Sequence, residues 1–254
     1  MIVEYQRPNS EDEAIALLSR STPKTVLLGG GTILSKTRDE LAVVDLQNLG
    51  WNQIKSSGDH TFVGSCTTLE ALLEHYGVNS AIGKAITIDA GKNIRDMATL
   101  GGTLAAIDGR SALMTVLLAL GVELVLKPGD MKITLDRWFA ERTENKLPKL
   151  ISEVQFPDVE YAGFESVGRS PLDKPILCCA VAVLSQKRMR IAFGGFGDQP
   201  VLAYDAAPMD EYGNAVEKAL RDAQDEWASA QYRLEIGRLL AQRLVFRGVK
   251  GERE

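Results

Sequence analysis

Two short glycine-rich segments carry the residue types that could do chemistry in this chain. Residues 29–32 read Gly-Gly-Gly-Thr, and residues 101–103 read Gly-Gly-Thr. Consecutive glycines let backbone N–H groups converge on an anion, because no Cβ blocks the approach and positive φ is available at no steric cost. A threonine hydroxyl adds a further donor. Either segment alone could be a plain tight turn, but the pair together would suit a pyrophosphate held from two sides.

The familiar nucleotide-binding motifs are not present in these segments. A Walker loop needs a Gly-Lys-Ser/Thr ending, which neither segment has. In the first segment Leu34 occupies the place of the third Rossmann glycine, and no helix-start pattern follows. The two segments therefore define a candidate anion site of another kind.

Cysteines and histidines are too few to build most metal or nucleophile sites. Cys66 stands alone and Cys178 adjoins Cys179, so no Cys-x-x-Cys pair occurs, and an iron–sulfur cluster usually needs four thiolates. His60 and His75 have no acidic or thiol partner at ligand spacing. No Gly-x-Ser-x-Gly elbow is present. We predict no metal site and assign no catalytic residue.

Strands and helices alternate around the two glycine segments. Strands are predicted at residues 1–5, 25–28, 41–46, 61–65, 122–126 and 131–135, the last two forming a hairpin. Ser10 with Glu13, and Thr67 with Glu70, are spaced as capping boxes and predict helix starts. Further helices are expected at residues 80–90 and 111–120, the latter closed by Gly121.

The pattern changes near residue 150. Strands are predicted at residues 150–156, 163–168, 176–184 and 190–196, and helices at 215–221 and 227–246. The last helix carries Trp227, Leu234, Leu240 and Leu244 as an apolar stripe that should face a core. The basic run at residues 187–190 is interpreted as a solvated hairpin turn. An α+β fold with a boundary near residue 150 follows.

Composition excludes several classes of protein. Of 254 residues 45% are apolar and 25% charged, with a formal charge of -5. That is ordinary globular composition, and it disfavours nucleic-acid binding. The longest apolar stretches, near residues 112–122 and 176–184, fall short of the roughly 20 residues that a membrane span needs. Residues 1–14 show no apolar signal-peptide core. We therefore expect a cytoplasmic protein without a membrane span.

A series of motifs, in order along nearly the whole chain, resembles one family. Residues 5–14 are similar to Tyr-x-x-Pro-x-Ser-x-x-x-Ala, and 29–34 to Ala-Gly-Gly-Thr-Asp-Leu. Residues 63–72 resemble Ile-Gly-Ala-x-x-Thr-Leu-x-x-Leu, and 94–104 resemble Ile-Arg-Asn-x-Ala-Thr-Ile-Gly-Gly-Asn-Leu. Residues 117–121, 150–157 and 228–233, and Arg169 with Asp173, continue the series. These are motifs of the FAD-binding (medium) subunit of molybdenum hydroxylases, the xanthine dehydrogenase and carbon monoxide dehydrogenase family.

The resemblance implies a fold, a cofactor and a set of binding residues. The fold would be a two-subdomain FAD-binding domain of the PCMH type at residues 1–152, with subdomains of about 1–52 and 53–152. A small antiparallel sheet with helices would form a C-terminal domain at 153–254. FAD would bind non-covalently, since no attachment motif is seen. Its predicted contacts are Gly29, Gly30, Gly31, Thr32, Ile33, Leu34, Gly64, Thr67, Arg95, Thr99, Leu100, Gly101, Gly102, Thr103 and Arg169.

The implied function is that of a flavoprotein subunit in an oxidoreductase complex. It would pass electrons from the iron–sulfur clusters of a small partner subunit through FAD to an acceptor such as NAD or a quinone. A large partner subunit would carry the molybdenum cofactor and choose the substrate. Two alternatives stay open: a free-standing flavin reductase, and a flavin-free structural subunit. The second is considered because Ala112 and Ser166 stand where the family often has Asp and Lys, and Thr103 also replaces the usual Asn.

Overall fold

The computed structural model describes residues 2–20, 22–34, 39–141, 150–170, 173–185, 188–206 and 212–250. By contacts, the chain separates into two compact units, each assembled from three stretches. The first unit is Met1–Leu72, Lys92–Ala106 and Glu123–Phe156, and the second is Leu73–Gly91, Ile107–Val122 and Pro157–Glu254. The predicted domain boundary at residue 152 cuts the chain once, whereas these units each combine separate stretches. The predicted boundary therefore stays a prediction.

The described chain is a mixture of strands and helices. The strands are β1 (Ile2–Gln6), β2 (Thr25–Leu28), β3 (Leu41–Asp45), β4 (Ile54–Ser57), β5 (His60–Gly64), β6 (Glu123–Lys127), β7 (Met131–Thr134), β8 (Leu150–Pro157), β9 (Val159–Val167), β10 (Leu177–Leu184), β11 (Met189–Gly194) and β12 (Val201–Ala206). The α-helices are α1 (Glu11–Leu18), α2 (Leu69–Tyr76), α3 (Ala81–Asp89), α4 (Lys92–Arg95), α5 (Leu100–Ala106), α6 (Ala112–Leu120), α7 (Leu135–Glu141), α8 (Tyr212–Leu220) and α9 (Ala230–Lys250).

The first unit contains two sheets. A three-stranded parallel sheet has the order β1-β3-β2, and its central strand β3 is buried at every residue. A five-stranded sheet has the order β4-β5-β8-β6-β7 and includes the predicted hairpin of β6 and β7. Strand β4 was not predicted, because Ile-Lys-Ser-Ser has one apolar residue and only Ile54 is shielded from solvent.

The second unit is built on a four-stranded antiparallel sheet of order β12-β11-β10-β9. Seven of the eight residues of β10 are buried, as its apolar sequence predicts. Helix α6 is buried along its whole length, and its start is capped by the Ser111 hydroxyl, which accepts from the Met114 amide at 3.1 Å. Leu240 and Leu244 of α9 are 2% and 0% exposed, which confirms their place in the core.

Helix α9 begins three residues later than the sequence predicts. The Asp225 carboxylate accepts from the amides of Trp227 and Ala228 at 2.8 and 3.1 Å, and these bonds hold a turn ahead of the helix. Trp227 lies in this turn and is 38% exposed, so its prediction as a core residue is wrong. Leu234 is partly buried and packs against the core.

Two other local predictions also need correction. The side chain that caps α2 is Thr68, whose Oγ1 accepts from the Ala71 amide at 3.2 Å, and not Thr67. Within the basic run, Arg190 is 6% exposed and begins strand β11 with Met189, so these two residues are not a solvated turn. Arg190 Nη1 lies 2.6 Å from Asp205, which supplies the opposite charge. Lys187 lies outside the described residues. Among the described helices, none has the length and apolarity to cross a membrane.

Candidate functional site

Both glycine segments line one cavity of about 260 Å³ in the first unit. We call it the glycine-lined cavity. The predicted residues on its wall are Gly29, Gly30, Gly31, Thr32, Ile33, Leu34, Thr99, Gly101, Gly102 and Thr103. Its remaining wall residues, not predicted from the sequence, are Leu27, Leu46, Ser65, Cys66, Ala98, Ala105, Ala106 and Ile151. The volume lies just below the usual range for small-molecule sites, so a large ligand would extend beyond it.

The first glycine segment follows the carboxyl end of β2, on the edge of the parallel sheet where ligands commonly bind. Among the described residues, no acceptor contacts the amides of Gly29, Gly30 and Gly31. Gly31 has a φ of +70°, a conformation that glycine adopts without strain. This segment therefore presents open backbone donors at the cavity.

The second glycine segment is different, because it forms the first turn of the short helix α5. Its three amides, and that of the preceding Leu100, donate to protein oxygens, so their predicted contact with a pyrophosphate stays a prediction. The bonds run from Leu100 to the Thr67 carbonyl (2.9 Å), from Gly101 to the Ser65 carbonyl (2.8 Å), from Gly102 to Thr99 Oγ1 (3.1 Å) and from Thr103 to the Thr99 carbonyl (2.9 Å).

Several of the glycines are required by close packing of the protein on itself. A Cβ on Gly30 would collide with the backbone carbonyl of Met97. A Cβ on Gly101 would lie 2.7 Å from Ser65 Cβ. The absent side chains let three backbone segments approach one another around the cavity. This purpose differs from the anion approach that the sequence suggests.

Two buried hydroxyls beside these segments lack a hydrogen-bond partner. Ser65 and Thr67 are 3% and 1% exposed, and neither side-chain oxygen is paired within the described structure. Buried polar atoms are nearly always satisfied, so two unpaired hydroxyls two residues apart call for a partner outside the protein, either ordered water or a polar ligand. Thr67 was predicted from the resemblance, but Ser65 was not, since the resembled motif has Ala at that position.

Cys66, between these hydroxyls, also lines the glycine-lined cavity. It is partly exposed, whereas Cys178 and Cys179 are fully buried. Burial raises the pKa of the Cys66 thiol above its ordinary value. The thiol is therefore neutral near pH 7, which makes it a poor nucleophile.

Other predicted contacts are occupied by protein groups. Arg95 is largely buried, and its Nε lies 2.7 Å from Glu70, whose pKa it lowers by hydrogen bonding. Lys92 Nζ lies 3.2 Å from the same carboxylate. Leu100 is fully buried. Gly64 adjoins Ser65 and lines a different cavity of the first unit.

Arg169 belongs to the second unit, where its guanidinium carbon lies 4.8 Å from the ring centre of Trp227. Position 112 is also in this unit. Its alanine amide donates to the Asp89 carboxylate at 2.8 Å, so a carboxylate from α3 sits at this helix start. Burial raises the pKa of Asp89, against the opposing effect of its bond from Ser111.

Comparisons with known proteins identify the family. The sequence profile described as "FAD binding domain in molybdopterin dehydrogenase" matches residues 1–159, so the chain belongs to this family. The FAD cofactor and the flavoprotein oxidoreductase class predicted from the resemblance are thereby confirmed.

Individual relatives cover most of the chain. It is 26% identical over 226 residues to the uncharacterised protein YgfM of Escherichia coli K12, covering 88% of this chain and 86% of YgfM. It is 28% identical over 221 residues to the caffeine dehydrogenase subunit beta of Pseudomonas sp. CBB1, covering 78% of this chain and 74% of that subunit. A carbon monoxide dehydrogenase chain of Hydrogenophaga pseudoflava has the same fold, with a TM-score of 0.79 at 19% identity over 98% and 97% of the two chains.

Proposed function

We propose that the chain is the flavoprotein subunit of a molybdenum hydroxylase, with the diphosphate of FAD in the glycine-lined cavity. The observation that carries this placement is the unpartnered Ser65 hydroxyl, which belongs to a residue on the wall of the same cavity as the open amides of residues 29–31. All of these residues lie within the stretch that matches the FAD-binding family. When bound, FAD can accept and donate electrons singly or in pairs, and the protein supplies its position and electrostatics.

Each part of the cavity has its own role in this proposal. The amides of residues 29–31 donate to the diphosphate, and the Ser65 hydroxyl completes the donor set. Thr67, which is not a wall residue of the cavity, stays a predicted contact. Gly102 and Thr103 line the cavity without donating their amides to the ligand, because both amides already donate to Thr99. Binding is non-covalent, since the sequence shows no motif for covalent flavin attachment. Arg95 and Arg169 stay predicted contacts.

Partners and electron route extend the same proposal. The chain would receive electrons from an iron–sulfur subunit, pass them through FAD, and deliver them to NAD or a quinone, while a large subunit carries molybdenum. Support comes from relatives named as subunits of dehydrogenases, among them a caffeine dehydrogenase. The two-subdomain arrangement at residues 1–52 and 53–152, followed by a domain at 153–254, belongs to this proposal.

Blocking the cavity tests the placement of FAD. Ala106 lines the cavity at the end of α5 and is solvent-exposed, so Ala106→Phe should fill the cavity while sparing the core. We expect FAD affinity, measured by quenching of flavin fluorescence, to fall at least tenfold with an unchanged melting temperature. Asn214→Phe, at an exposed position of α8, is the matched control. Equal FAD affinity in both variants would contradict the placement.

The complex is tested separately. Native mass spectrometry of the affinity-purified chain from its own cells should show an assembly with an iron–sulfur chain and a molybdenum chain. The isolated subunit should hold FAD but should not reduce a dye with any hydroxylase substrate. Substrate-dependent dye reduction by the isolated chain would refute the subunit assignment and favour a free-standing enzyme.

A further inference from the structure

The second unit carries an aromatic residue flanked by two arginines. The guanidinium carbons of Arg110 and Arg169 lie 4.6 and 4.8 Å from the ring centre of Trp227. We call these three residues the Arg–Trp–Arg cluster. Arginine stacks well on indole, because the negative face of the ring attracts the cation. Two like charges on one ring nevertheless repel each other, so the arrangement needs a further explanation.

The cluster is held in place by the core of the second unit. Arg233 is fully buried, and its Nη2 lies 2.8 Å from each oxygen of Asp225. Asp225 in turn accepts from the Trp227 amide at 2.8 Å, so a buried ion pair fixes the backbone that carries the indole. Arg110 Nη2 donates to the Lys174 carbonyl at 2.9 Å. The ring and one guanidinium are therefore preorganised.

Nearby carboxylates are committed to other donors. Asp108 pairs with Lys174, and Asp173 accepts from the Ser170 hydroxyl at 3.0 Å. The Asp108 carboxylate also accepts from the Arg110 amide at 2.9 Å. Against the opposing effect of burial, Lys174 and the Arg110 charge lower the pKa of Asp108, but no ion pair to either guanidinium of the cluster is found within the described residues. A guanidinium has five donors, and Arg110 uses its side chain only on two backbone carbonyls. Two permanent cations therefore contact the same partly exposed ring, and the described contacts of Arg110 leave it unused donors.

We propose that the Arg–Trp–Arg cluster binds the diphosphate of a soluble nucleotide, in addition to the FAD proposed for the glycine-lined cavity. Paired guanidiniums match phosphate oxygens bidentately, and stacking on Trp227 orients both forks at little entropic cost. A small ligand is favoured over nucleic acid because the chain has a net charge of -5 and the basic surface here consists of isolated residues. The competing assignment is the flavin contact predicted for Arg169.

Calorimetric titration of the FAD-loaded full chain with ADP, and separately with inorganic pyrophosphate, tests the proposal. We expect one ADP per chain, with affinity that falls as salt increases. Arg169→Gln is the decisive variant, since the described contact of its side chain is the ring alone, and it should weaken ADP roughly ten- to hundredfold. Arg238→Gln, an exposed α9 arginine paired with Glu217, removes the same charge elsewhere and should leave ADP binding unchanged.

Two further variants separate this site from the flavin site. Ala106→Phe should lose FAD yet keep ADP binding, and Arg110→Gln should lose ADP binding yet keep FAD. Trp227→Phe keeps an aromatic face and should retain most of the affinity, whereas Trp227→Leu should lose it. Loss of FAD in Arg110→Gln, loss of ADP in Ala106→Phe, or no ADP binding at millimolar concentration would each overturn the proposal. So would tighter, Arg169-dependent binding of a hexaglutamate peptide, which would assign the cluster to an acidic protein segment.

Discussion

The two glycine segments look alike in sequence and differ in structure. The first, at residues 29–31, leaves its amides open at the end of a parallel strand. The second, at residues 101–103, begins a helical turn. Its three amides, and that of the preceding Leu100, are bonded to protein oxygens. Yet both line the same cavity. Glycine-rich sequence thus has two outcomes here: amides left open at the cavity, and backbones that approach one another closely.

The largest expected effect tests whether the first segment also packs. In Gly30→Ala the new Cβ would meet the Met97 carbonyl, a rigid backbone group. We expect a loss of at least about 3 kcal/mol in the free energy of unfolding, measured with urea. Gly91→Ala is the matched control, because its Cβ would meet nothing within 4 Å, and it should change stability by no more than about 1 kcal/mol. Similar stabilities for both variants would show that the close approach is not maintained in solution.

The next prediction separates neighbours within the second segment. Helix propensity alone would make alanine stabilising at both Gly101 and Gly102. The Cβ of Gly101→Ala would lie 2.7 Å from Ser65 Cβ, whereas that of Gly102→Ala would meet only Thr99 Oγ1, at 2.9 Å. We expect Gly101→Ala to lower the free energy of unfolding by about 1–3 kcal/mol. For Gly102→Ala this free energy should stay within about 1 kcal/mol of the parent value. If the order is reversed, packing against Ser65 is not what requires the glycine.

A smaller effect tests the donors between the segments. Ser65→Ala removes an unpaired hydroxyl, so it should weaken FAD binding by about 0.5–1.5 kcal/mol, roughly two- to thirteenfold, while stability stays the same or rises. Ser152→Ala is the contrasting variant, because that buried hydroxyl already donates to the Val125 carbonyl at 3.2 Å. It should lower stability and leave FAD affinity unchanged. Loss of stability without loss of FAD affinity in Ser65→Ala would remove this serine from the site.

What sequence could predict here depended on local patterns. Capping and apolar periodicity predicted α1, α3, α6 and the β6–β7 hairpin, because the determining contacts lie within a few residues. The start of α9 was missed, since it depends on Asp225 being held by buried Arg233, and the sequence pattern gives no sign of that pair. The glycine segments were found by composition. Their hydrogen bonds were not, since the acceptors of Gly101 and Leu100 come from residues more than thirty positions away.

The smallest expected effect concerns the thiol between the two hydroxyls. Because burial raises the pKa of Cys66, the group is protonated at neutral pH, and its rate of alkylation by iodoacetamide should still be rising above pH 9. Cys178 is an internal control: it is fully buried with a pKa of about 12, so it should react only after unfolding. If the diphosphate lies against the first segment, saturating FAD should slow labelling of Cys66 severalfold at constant pH, as read by peptide mass spectrometry. A rate that levels off by pH 8 would contradict the raised pKa, and an unchanged rate with FAD would place the ligand away from this wall.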